Sequence, residues 1–206
     1  EGKASGVTFV NKTSGEDVRI DGEHIILAAS ACETARLLLN SKSEAFPNGL
    51  ANSSGQVGRN LTDSLGAGIS GYMPALRDRP RYNEDGHSGN HLYIPWWDRE
   101  GQKNGSLNFS RGYHFEVGAR FSSPGMGVAG RVDGYGKAAK DDVRSNYGTG
   151  IGLSLRGEML VSDDCYCEID DEVTDQWGIP VLKFHWKWSE QEINQVAHGL
   201  EWGKKI

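Results

Sequence analysis

The sequence predicts an α+β fold, in which the end of an α/β layer leads into a large antiparallel sheet with peripheral helices. Three observations predict it. Residues 25–41 (IILAASACETARLLLNS) run from a short apolar stretch through small residues into an amphipathic helical pattern. Between 65 and 188, short β-type segments alternate with turns. From Ser189 a second helical pattern begins, with Ile193, Val196 and Leu200 on one face.

Taken in order, residues 5–29 form two or three antiparallel strands. The first turn lies at Lys12–Glu16 in the sequence KTSGE, and Asp21-Gly22 is a hairpin signal before the next strand. Residues 25–29 are too short for a helix and read as a buried strand. Ser30 is placed to cap the helix that follows at about 31–41, with Glu33 completing a capping box. Residues 47–60, rich in Asn, Ser and Gly, make an ordered loop. The β segments then fall at 65–73, 91–97, 113–120, 150–160, 166–170 and 181–188. Ser189-Glu190-Gln191-Glu192 is a second capping box. The division into domains is expected at 1–46, a linker at 47–64, and 65–206.

Composition narrows the function classes. The 206 residues carry 22 Lys and Arg against 28 Asp and Glu, a net charge of −6, and the basic residues form no stripe. Nucleic acid is excluded as a partner on that ground. No apolar run reaches the roughly 18 residues needed to span a bilayer, so this segment inserts in no membrane as a helix. Twenty-eight glycines imply many turns, and six tryptophans must pack or line a site. Cys32, Cys165 and Cys167 are an odd set without a second pair or a His-x-His, so they read as free thiols and no metal site is expected. The chain opens without Met on a strand and stops at Ile206 within a helical pattern, as an internal fragment would.

Two regions carry candidate chemistry. The small residues Ala28, Ala29, Ser30 and Ala31 leave the backbone open at a helix N-terminus. Such a turn can hold a phosphate-bearing cofactor, or it can be an ordinary strand–turn–helix. His91, Tyr93, Trp96 and Trp97 form an aromatic cluster next to Asp98, and the stretch 83–87 before it is a turn fit for a rim. Sugars stack their C–H faces on such rings and need polar neighbours for their hydroxyls; the same cluster would also serve as the aromatic core of a β domain. Two G-x-G-x-x-G matches, at 66–71 and 125–130, lack the strand–turn–helix context that a dinucleotide site requires and are attributed to chance. Among the histidines, His24, His87 and His198 look peripheral, and no residue is assigned as a catalytic base.

The order of residues in 25–41 resembles the glucose–methanol–choline (GMC) family of FAD-dependent oxidoreductases, in its bacterial sugar and polyol dehydrogenase branch. Phe46-Pro47-Asn48-Gly49-Leu50-Ala51-Asn52 with Gln56-Val57-Gly58-Arg59-Asn60-Leu61 agrees, as does Trp177-Gly178-Ile179-Pro180 with Phe184-His185-Trp186. The chain departs from the family pattern at Ala35, where Ser or Pro is usual, at Lys42 for Gly, and at Ser64 for His. The resemblance implies FAD as cofactor, with Asn60 of Asn60-Leu61-Thr62-Asp63 near it. It implies a sugar, glycoside or polyol substrate oxidised by hydride transfer to flavin, and a possible electron-transfer subunit or cytochrome as partner. The family's glycine motif and its catalytic His segment have no counterpart here, so these residues alone are expected to be inactive and to hold FAD weakly or not at all. A non-catalytic carbohydrate-binding β domain is the alternative, and a flavoprotein of another family is a third.

Overall fold

The computed structural model describes residues 3–78, 92–120, 132 and 134–206. His91, the turn at 83–87 and the glycine motif at 125–130 lie outside the described residues. The fold is α+β as expected, and every described strand pair is antiparallel. The chain divides into two units, Glu1–Thr62 with Val161–Lys187, and Asp63–Leu160 with Trp188–Ile206.

In the first unit, β1 (Gly6–Val10) and β2 (Asp17–Asp21) form the expected hairpin. Asn11 closes its turn by accepting the Thr13 N–H at 2.9 Å. The strand expected at 25–29 is not formed. The stretch has no ladder partner among the described residues, and Ile26 is 88% exposed. An apolar run becomes a strand only where a neighbour pairs its backbone, and nothing local supplies one.

Helix α1 (Ala31–Asn40) packs against a hairpin of β7 (Tyr166–Thr174) and β8 (Pro180–His185). Arg36 makes the join: its Nε donates to the Pro180 carbonyl at 2.8 Å and its Nη2 to Asp175 Oδ2 at 2.7 Å, while Asn40 donates to the same Pro180 carbonyl at 3.0 Å. The loop at 58–61 extends the edge of β7, with the Cys167 N–H donating to Gly58 O and the Leu61 N–H to Cys165 O. A Cβ at Gly58 would strike the Cys167 carbonyl, and its φ of +83° is one only glycine adopts readily. Arg36 and Asn40 thus hold these two strands to α1 across some 140 residues of chain.

The second unit is built on a four-stranded sheet of order β3-β6-β5-β4, formed by β3 (Leu65–Tyr72), β4 (Leu92–Ile94), β5 (Tyr113–Arg120) and β6 (Gly150–Gly157). β4 is shorter than the stretch 91–97 expected, since Pro95 has no N–H for the ladder. Leu65, Phe109, Tyr113, Phe115, Leu153 and Leu155 make the core. Helix α4 (Glu190–Gly203) lies over β3 and β6, with Gly199 and Gly203 facing Leu155 and Ile69 so that helix and sheet approach closely. Two helices went unanticipated. α2 (Arg99–Asn104) is capped by Asp98, whose Oδ1 accepts the Gly101 N–H at 2.8 Å, and α3 (Gly136–Asn146) carries a Lys137–Asp141 pair one turn apart. Both are short and polar, without an apolar stripe to signal them.

Candidate functional site

Alternation along the strands gives the sheet of the second unit two different faces. On the face under α4 stand Leu65, Ala67, Ile69, Phe115, Leu153 and Leu155. The opposite face carries Gly66, Gly68 and Ser70 of β3, Gly152, Ser154 and Arg156 of β6, and His114, Glu116 and Gly118 of β5. Register aligns these in rows: Gly66, Arg156 and His114; then Gly68, Ser154, Glu116 and Tyr93. A Cβ placed on Gly118 would meet nothing within 4 Å. The first G-x-G-x-x-G match therefore lies within a strand, where its glycines keep a sheet face flat.

At one end of that face opens a cleft of about 650 Å³. Tyr93, Pro95 and Trp96 form an apolar wall; Arg111, Arg156 and Glu158 supply charge, and Gln102 and His114 further polar groups. Arg111 is held at φ 68°, a strained value for a side chain of its size. Its Nε stands 3.9 Å from Glu158 Oε2, and Arg156 Nε stands 3.6 Å from Glu116 Oε2.

The structure separates the aromatic residues singled out in the sequence. Tyr93 and Trp96 line the cleft. Trp97 does not line it: still 36% exposed, it stacks on Phe115 at 6.1 Å and meets Trp202 edge-on. Trp96 also packs against the core cluster, its ring 4.9 Å from Tyr113 and 5.6 Å from Trp97. His198, which looked peripheral, packs between Phe109 and Trp202. Trp202 Nε1 donates to its Nε2 at 3.1 Å, so the ring proton sits on Nδ1, 2.8 Å from Tyr113 Oη. Burial lowers the His198 pKa, assisted by Lys205 and opposed by Asp98; burial also pushes the Tyr113 phenol well above its ordinary value, with Asp98 adding to it. No short-range pattern marked His198; only the end of α4 over the cluster reveals it.

In the first unit, Ala28, Ala29, Ser30 and Ala31 are all exposed. The capping box expected there does not form. Ser30 adopts φ 74°, ψ 168°, outside the β-region that lets a serine side chain reach back, and Glu33 pairs with Arg36 at 3.4 Å instead. The first N–H groups of α1 thus have no side-chain cap, and small residues flank them. That donor set suits an external anion such as a cofactor phosphate. Asn60, at φ 55°, donates to Gln56 Oε1 at 3.3 Å within its own loop. Next to it Arg59 lies over the Tyr166 ring at 4.3 Å, and Tyr166 stacks on His185 at 4.2 Å. Arg59 and Glu168 line a smaller cleft of about 360 Å³. The three cysteines are free thiols. No helix among the described residues is long and apolar enough to cross a membrane.

No family model matches the chain. It is 26% identical over 204 residues to the 2-methyl-1,2-propanediol dehydrogenase of Mycolicibacterium austroafricanum, covering 97% of this chain and 36% of that protein. To the paromamine 6'-oxidase of Streptomyces fradiae it is 35% identical over 197 residues, 93% of this chain and 32% of the relative. A stretch of 52 residues, 25% of the chain, is 42% identical to the fructose dehydrogenase large subunit of Gluconobacter japonicus and covers 10% of it. The chain spans about a third of the length of the first two relatives. It is therefore similar to oxidoreductases named as dehydrogenases and oxidases.

Proposed function

We propose that these residues belong to a GMC-type, FAD-dependent oxidoreductase that oxidises an alcohol group of a sugar, glycoside or polyol. One observation carries this reading: the sheet of the second unit presents a flat, polar, glycine-rich face that ends in a cleft walled by Tyr93 and Trp96. The relatives support it, since their names specify a diol, paromamine and fructose. Tyr93 and Trp96 offer ring faces to the C–H groups of a sugar, while Arg111, Arg156, Glu158 and Gln102 exchange hydrogen bonds with its hydroxyls. Ala28, Ala29, Ser30 and Ala31, with Asn60 as a further contact, are the residues proposed to meet the cofactor. Acceptance of the hydride is the chemistry a flavin supplies when bound. The name of one relative, a large subunit, supports an electron-transfer partner as a further part of this proposal.

The test is to express the complete reading frame that contains these residues. Flavin content and dye-coupled oxidation of methyl glucoside, sorbitol and 1,2-propanediol are then measured, with Trp96→Ala alongside. Bound flavin and turnover that is weakened in Trp96→Ala, mainly through KM, are expected. Saturable sugar binding with neither flavin nor turnover would replace this reading with the non-catalytic carbohydrate-binding domain.

A further inference from the structure

His114 and Glu116 alternate on β5 and so stand on the same polar face; Arg156 lies opposite His114 across the ladder. The His114 Nε2 atom is inaccessible to solvent, and among the described residues it has no hydrogen-bond partner. The group before it is Glu116 Oε1 at 3.8 Å, too close for a water to stand between and too far for a hydrogen bond. The ring as a whole is not buried. Its side chain keeps 39% of its exposure and lines the cleft, with Tyr93 edge-on at 5.3 Å.

These facts determine the state of the imidazole. A lone pair on Nε2 would face a carboxylate oxygen and be repelled, whereas an N–H there is attracted to it. The proton of the neutral ring therefore sits on Nε2, and the accepting lone pair on Nδ1. Glu116 is itself only 19% exposed and has Arg156 Nε at 3.6 Å on its other oxygen, so the carboxylate is fixed from the far side. The result is an imidazole with a carboxylate behind its protonated nitrogen, in a cleft whose other charged groups include the two donors Arg111 and Arg156.

We propose that His114, backed by Glu116, is the hydroxyl acceptor of the cleft and determines its specificity. It takes a hydrogen bond at Nδ1 from one hydroxyl of a neutral polyol or sugar, while a neighbouring hydroxyl accepts from Arg111 or Arg156. The ligand class is thus a compound with adjacent hydroxyls rather than a simple alcohol. This rests on the reading of the cleft as a sugar or polyol site.

The test uses the protein expressed from the complete reading frame that contains these residues, with tryptophan fluorescence reporting titrations of methyl glucoside and its monodeoxy analogues. His114→Phe retains a ring against Tyr93, and His114→Gln retains an acceptor. His114→Phe should weaken methyl glucoside by about tenfold, as expected for loss of one hydrogen bond with its partner left unpaired. One deoxy analogue should bind wild type and His114→Phe equally, because it lacks the hydroxyl in question. His114→Gln should recover part of the affinity. Unchanged affinity in His114→Phe overturns the proposal, as does an equal loss against every deoxy analogue, which would mark a structural role. If wild type binds none of the probes, this proposal and the polyol reading fall together. Binding that behaves as expected, in a full-length protein without flavin turnover, would sink only the flavoenzyme reading.

Discussion

Replacing Glu192 by alanine removes the acceptor that ties together the two places where the chain leaves and re-enters the second unit. Its Oε1 accepts the Leu160 N–H at 3.1 Å; its Oε2 accepts the Ser189 N–H at 2.9 Å and the Ser189 hydroxyl at 2.5 Å. The residue is 1% exposed, so water cannot take over. Two backbone donors left without partners cost about 1–3 kcal/mol each, and the serine hydroxyl can turn elsewhere. We therefore expect Glu192→Ala to destabilise this unit by about 3–5 kcal/mol, near the upper end for a single substitution. With a urea slope of about 2 kcal/mol/M, the unfolding midpoint followed by near-UV circular dichroism should fall by about 2 M at unchanged slope. Glu192→Gln keeps one carbonyl oxygen but turns an amide donor towards the other N–H, and should lose roughly half as much.

The carboxyl group also sets a pH dependence. Burial raises its pKa, but hydrogen bonds from the Ser189 hydroxyl, the Leu160 N–H and the Ser189 N–H outweigh that, and the group stays below its ordinary value. A carboxylate depressed in the fold stabilises it fully above the unfolded value of about 4.3, and the contribution is lost as pH falls through the folded value. Glu192→Gln should flatten that acid limb. A loss under about 1 kcal/mol in Glu192→Ala, or equal losses in the two variants, would refute the reasoning.

Three further outcomes follow from the geometry. Gly58→Ala combines a left-handed φ with a clash against the Cys167 carbonyl and should destabilise the first unit by about 2–4 kcal/mol; hydrogen exchange at the Cys167 and Leu61 amides reads it, and unchanged protection would contradict it. Arg111→Gly relieves a strained φ and should raise Tm slightly, by about 1 kcal/mol of stability, while weakening polyol binding; equal affinity with wild type would remove Arg111 from the site. His198 has a depressed pKa, so its contribution is present above about pH 6.5 and is lost on acidification. Tryptophan fluorescence should shift over that range in wild type and not in His198→Phe.

Much of the architecture was legible because it is encoded locally. Tyr113, Phe115 and Val117 alternate with His114, Glu116 and Gly118, and the strand runs Tyr113–Arg120 as the alternation implies. Ser189 and Glu192 mark the start of α4, whose bounds follow. Tyr93 and Trp96 were visible as candidates because they fall in the aromatic cluster that ends next to Asp98, a pattern on which sugars stack. The apolar run at 25–29 has an equally clear pattern, yet Ile26 is exposed and has no strand partner among the described residues. Ser30 and Glu33 have the spacing of a capping box, and a φ of 74° prevents it. His198 was read as peripheral and Trp97 was grouped with the sugar-site rings, since what surrounds them comes from elements about a hundred residues away.

The sequence by itself determined that the β1–β2 hairpin, β3, β5, β6, α1 and α4 form, and that β5 and β6 carry one apolar and one polar face. Those follow from backbone sterics and the period of side chains along a strand, which act over a few residues. Only the tertiary structure decided that Arg156 stands between Gly66 and His114, that Trp96 meets both the cleft and the core cluster, and that Arg36 draws β7 and β8 to α1. Strand order, register and the cover on each face are settled by burial and pairing between distant residues. No local pattern contains them.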